Sequence, residues 1–115
     1  MLLERGDVVL ISHRRMFPHD EARFFVGRTL ACENELVKVE GFSFVRDLTS
    51  GHIIRKDEKR VKLVSLASPG YIFYQLSGVI DVSNVNVRDE AGEVALVEGS
   101  RELMNLAERS HCGHF

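Results

Sequence analysis

Apolar residues in this chain come in short β-branched or aromatic runs, each closed by Gly, Pro, Asn, Asp or Ser. That punctuation constrains the fold more than any other feature, because strand-length runs between turn signals describe a sandwich or barrel and not βαβ units. No solenoid-period repeat, low-complexity tract or long linker interrupts it, so no internal domain boundary is expected. At 115 residues, 44% hydrophobic and 28% charged, the chain has material for one core.

Val8 to Ile11 is too short to show a period and fits a strand buried on both faces. A loop follows, His13-Arg14-Arg15-Met16-Phe17-Pro18-His19-Asp20-Glu21. From Arg23 to Cys32, Phe24, Val26, Leu30 and Cys32 alternate with Phe25, Gly27, Thr29 and Ala31, so this strand is expected to be central, with Cys32 a core thiol. Glu33-Asn34 turns the chain, since Asn tolerates positive φ.

Between Leu36 and Val45 the apolar parity changes: Val37 and Val39 are odd, Phe42 and Phe44 even. A strand that keeps one face inward changes parity by inserting a residue, which predicts a β-bulge or sharp bend at Gly41. A hairpin turn at 48–51 leads into His52-Ile53-Ile54-Arg55, and the charged run 55–60 reads as a solvated loop or strand end before Val61-Lys62-Leu63-Val64. After Ser68-Pro69-Gly70, Tyr71-Ile72-Phe73-Tyr74-Gln75-Leu76 is strongly β-prone. The last third reads as a meander: a strand within 79–88, a turn at 89–92, a strand at 94–97 and a break at Gly99-Ser100. For 102–107 a final strand competes with a short helix capped by Ser100.

The expected organisation is a single all-β domain over 1–108, barrel-like over 5–66 and a meander over 67–108, with 109–115 as a flexible tail. No apolar run reaches the length of a spanning helix and the N-terminus lacks a signal's apolar region, so a cytoplasmic protein without membrane contact is expected. Cys32 and Cys112 do not make a disulfide framework.

The net charge of −2 excludes a broad basic coat but conceals an asymmetry. Residues 1–65 carry 12 Lys and Arg against 10 Asp and Glu, and residues 66–115 carry 3 against 7. A local binding face therefore remains open in the first half.

Catalytic signatures are absent. There is no Gly-x-Ser-x-Gly elbow and no Gly-rich phosphate loop, and nothing selects a pair of carboxylates, so no catalytic residue and no cofactor is assigned. Metal ligation by His13, His19, His52, His111, Cys112 and His114 is the competing reading, though the spacings lack a second ligand pair. Two basic segments stand out. The first holds Arg14, Arg15, Phe17, His19 and Arg23, cations interleaved with an aromatic; the second holds Arg55, Lys56, Lys59 and Arg60, with Lys62 beyond. Cations and aromatics on loops of a small barrel suit single-stranded nucleic acid, whereas the charge run at 55–60 equally suits an edge kept soluble.

Phe24-Phe25-Val26-Gly27-Arg28, the turn at Glu33-Asn34, and His52-Ile53-Ile54-Arg55-Lys56 leading to Val61-Lys62-Leu63-Val64 resemble the small SH3-like and Sm-like barrels over residues 5–66. The resemblance implies a strongly bent small barrel. Ile54-Arg55 is followed by Lys56 where the Sm-like pattern has Gly, so no site of that family is carried over. As a whole the chain resembles a bacterial protein to which no activity is attached. The expected function is a non-enzymatic binding or assembly module that contacts an anionic partner such as single-stranded nucleic acid and forms homo-oligomers, the aromatic strand at 71–74 being either the surface for self-association or a central buried strand; a small metal-binding protein or metalloenzyme is the alternative.

Overall fold

The computed structural model describes residues 2–14, 23–90 and 93–106. Among the described residues nine strands form two antiparallel sheets, and no helix is long and apolar enough to cross a membrane. The first sheet takes β1 (Val8–His13), β2 (Arg23–Glu33), β3 (Leu36–Arg46), β4 (Ile53–Arg55), β5 (Arg60–Ser65) and β6 (Tyr71–Leu76). Its order is β4-β3-β2-β1-β6, with β5 also on β3. The second sheet, β7 (Val85–Glu90), β8 (Glu93–Glu98) and β9 (Arg101–Asn105), is the expected meander. The strand reading of 102–107 holds over 102–105, with Leu106 past the strand's end and 107 outside the described residues: Gly99 takes φ 61 in a two-residue connection and β9 pairs back on β8.

The expected sheet division at 66/67 is displaced: β6 pairs along the whole of β1, so the first sheet runs to Leu76. Nor does the barrel close. Among the described residues no pairing joins β6 to β4 or β5. The sheet curls instead, because Val64 of β5 and Tyr71 and Phe73 of β6, from its two edges, pack on one cluster with Val9, Ile11, Phe25, Val37 and Val39. The tail 109–115 lies outside the described residues.

Both faces of this sheet are buried, at different places. The opposite face presents Val8, Leu10, Phe24, Val26, Phe42, Phe44 and Ile53 to Ile80, Val85, Leu96 and Leu106, and so seats the second sheet. This explains β1, whose residues from Val8 to Ser12 are all buried. It also corrects the expectation at Gly41. No residue is inserted there: β3 stays in register with β2 from Gly41 to Val45, and the irregularity falls in β2 between Thr29 and Ala31. The parity of apolar residues changes because Val37 and Val39 serve one cluster while Phe42 and Phe44 serve the other. Gly41 has a different duty. A Cβ there would lie 1.9 Å from the Val26 carbonyl oxygen, and its cross-strand partner is Gly27, so this bare pair lets two strands approach closely where the edge partner of β3 changes from β5 to β4.

Cys32, expected in the core, is half-buried against the curled cluster. Of the expected strand within 79–88 only the part from Val85 is extended; Val82–Asn84 is a 3₁₀ turn whose cap, Asp81, accepts from the Ser83 N–H. Three side chains tie the first sheet to the segments flanking it in the chain. Arg28 donates to the carbonyls of Gly6 and Ile80, at 2.7 and 3.0 Å. Arg55 donates to those of Ser83 and Val85, at 2.8 and 3.1 Å, and lies 4.8 Å from the centroid of the Phe42 ring. Asp89 accepts from the Ile53 N–H at 2.9 Å, with His52 Nδ1 3.6 Å away.

Candidate functional site

The curled cluster ends in cations. Successive side chains of a strand face opposite ways, so the residue two places along from a core position shares its face. On β1 that step leads from Ile11 to His13, on β2 from Phe25 to Arg23, and on β5 from Val64 to Lys62 and then Arg60. On β3 the same face runs from Val39 past Gly41 to Ser43 and Val45. Register sets Arg23 opposite Val45, Arg60 opposite Gly41 and Lys62 opposite Val39, spread along β3, and the curl of the sheet turns them toward the same clefts.

Two adjoining clefts open there. One, of about 330 Å³, is lined by His13, Arg23, Phe24, Ser43, Val45, Arg46, Leu48 and Lys62. The other, of about 490 Å³, is lined by Ser43, Val45, Lys56, Asp57, Glu58, Arg60 and Lys62. Ser43, Val45 and Lys62 form the wall they share. A continuous surface thus joins Arg23 of the first basic segment to Lys56 and Arg60 of the second.

Like charge dominates this surface. Partial burial holds His13 below its ordinary imidazole value, and the Lys62 ammonium and Arg23 guanidinium add to the effect. Burial also lowers Lys62, followed by the charges of Arg60 and Arg23. Arg60 pairs with Glu58 at 3.1 Å. Among the described residues no carboxylate forms an ion pair with Arg23 or Lys62. Lys62 instead places its ammonium 4.7 Å from the centroid of the Phe25 ring, and His13 meets Tyr71 edge to face at 4.8 Å. The arrangement presents converging donors and positive charge over an apolar floor.

The remaining expected residues are dispersed. Arg14 is exposed, its N–H donating to the Gly70 carbonyl at 2.8 Å. Arg55 holds the two sheets together on the opposite face. Lys59 lines a third cleft, of about 180 Å³, which also includes Arg28, Glu40 and Asp81 on that opposite face. Arg15, Phe17 and His19 lie outside the described residues, as do the candidate metal ligands His111, Cys112 and His114. Among the described residues no three His, Cys, Asp or Glu side chains gather where a metal ion could be held.

Sequence reasoning passed over Ser43, Val45 and Arg46 as lining residues and weighed His13 as a metal ligand or as an exposed imidazole of the basic loop, not as a neighbour of Lys62. The available signal was the two-residue step from Ile11 and Phe25 to His13 and Arg23. Comparison of the chain with protein-family models, with curated proteins and with solved structures finds no match.

Proposed function

We propose that this protein is a non-enzymatic binding module of small-barrel, SH3-like or Sm-like descent, whose double cleft takes single-stranded nucleic acid. One observation carries the reading: cations from both basic segments line clefts that share a wall, with Arg23 and Lys62 unmatched by any described carboxylate. A chain of phosphates supplies what that surface lacks, a run of negative charge spread over two adjacent recesses. Val45 and Leu48 offer apolar surface beside the cations, on which a base finds contact that a simple inorganic anion does not use.

Fluorescence-anisotropy titration with short single-stranded RNA and DNA tests this reading. Arg23→Gln with Lys62→Gln keeps most of each stem and removes two charges. The double variant is expected to bind at least about tenfold more weakly and to lose about two phosphate contacts from the salt slope. Absence of binding by the wild-type chain at low salt, or affinity unchanged in the double variant, contradicts the proposal.

A further inference from the structure

A second surface, independent of the cationic clefts, lies on β6. From Leu63 to Ile80 the chain carries no Asp, Glu, Lys, Arg or His, although 28% of all residues are charged. Yet within it only Val64 and Ile80 are buried. Leu63, Leu66, Ile72, Tyr74 and Val79 supply five of the ten exposed large hydrophobics among the described residues. Within it β6 is an edge strand, hydrogen-bonded to β1 on one side and meeting no described strand on the other.

The backbone phase of that free edge can be read from its neighbours. In an antiparallel pair, alternate residues of a strand turn their N–H and C=O to opposite sides. The Thr29 N–H donates to the Asp7 carbonyl, so odd-numbered residues of β1 face β2 and even-numbered ones face β6. Arg14, whose N–H donates to the Gly70 carbonyl, continues that phase. Ile72, Tyr74 and Leu76 are therefore engaged with β1, and the N–H and C=O groups of Tyr71, Phe73 and Gln75 point to the free edge.

Edge strands of monomeric proteins are ordinarily blunted by charge, proline or short length. Every other edge strand here carries charge: Arg55 on β4, Arg60 and Lys62 on β5, Arg88, Asp89 and Glu90 on β7, Arg101 and Glu102 on β9. Only β6 is bare. We propose that β6 is a dimerisation edge, pairing antiparallel with β6 of a second copy of this chain about a twofold axis at Phe73. That register sets the outward N–H and C=O groups of Phe73 against their own copies and those of Tyr71 against Gln75. It also places exposed Ile72 beside exposed Tyr74 of the other copy on one face, an aliphatic–aromatic cross-strand pair. A second copy fits because an isologous contact needs a surface complementary to itself, and an uncharged strand meets its own copy without repulsion.

Sedimentation of the full chain over a range of concentrations tests the proposal, together with amide hydrogen exchange. The wild-type chain is expected to sediment at twice 13.0 kDa, with the Phe73 and Gln75 amides protected and losing protection on dilution. Tyr74→Lys, or Ile72→Lys should the first variant lose its circular-dichroism signature, is expected to raise the dissociation constant at least about tenfold. Val61→Lys, at an exposed apolar position on β5, leaves it unchanged. A monomer at all concentrations, free exchange at Phe73 and Gln75 in the wild-type chain, or a dimer broken by Val61→Lys and not by Tyr74→Lys overturns it.

Discussion

His13 sits where three demands meet: it is partly buried, it packs on Tyr71, and it faces Lys62 and Arg23. Burial and both cations favour its neutral form, so an anion in the cleft has the opposite effect and draws a proton onto the ring. The sign for binding is then fixed: affinity for an oligonucleotide rises as pH falls through and below 6.5, the ordinary imidazole value. The sign for stability is the reverse. With the folded value below 6.5, the unfolded chain takes up the proton first, so this contribution to stability is full above 6.5 and declines as pH falls beneath it. In anisotropy titrations between about pH 8 and about pH 5.5, His13→Gln is expected to flatten the rise in affinity. An affinity that is flat with pH in the wild-type chain contradicts this account. Little of this was legible in the sequence, where His13 stands next to Arg14 and Arg15 and nothing marks Lys62 as its neighbour. Forty-nine positions separate His13 from Lys62, and the two line one cleft because β5 pairs on β3 and the sheet curls over one cluster.

At the scale of elements, Arg55 separates two readings of one residue. As part of a charge run it belongs with Lys56 and Arg60, yet it pairs with Phe44 and therefore lies on the face that carries the second sheet. Its guanidinium bridges β4 to the Ser83 and Val85 carbonyls over the Phe42 ring. Arg55→Ala is expected to lower unfolding free energy in denaturant by about 2 kcal/mol, through two lost charged hydrogen bonds and a cation–π contact, and to leave oligonucleotide affinity unchanged. Strand existence was readable from turn signals almost throughout, because Asn34, Gly51 and Gly99 stand where the backbone takes φ 55, 76 and 61. Strand faces were harder to read. Parity in β3 assumes one buried face, and the change from Val39 to Phe42 reports a sheet covered on both sides at different ends.

For the whole molecule, a net charge of −2 coexists with a cationic recess because the charges are sorted by face and by sheet. The curled sheet directs His13, Arg23, Lys62 and Arg60 to one end of its inner cluster, while the second sheet covers the opposite face and contributes none of the cations there. The all-β class was legible because short β-branched runs leave a chain few other ways to bury them. Open edges were not, since barrel closure depends on whether β6 meets β4 or β5 in space, a question that periodicity does not address. Titration of isotopically labelled protein with a short single-stranded oligonucleotide, followed by backbone amide chemical shifts, shows which face of the curled sheet the ligand meets. His13, Arg23, Ser43, Val45 and Lys62 are expected to shift together and saturate at one stoichiometry, while Arg28, Lys59 and Ser83 on the opposite face stay in place. Shifts confined to that opposite face, or none at all, contradict the proposed binding.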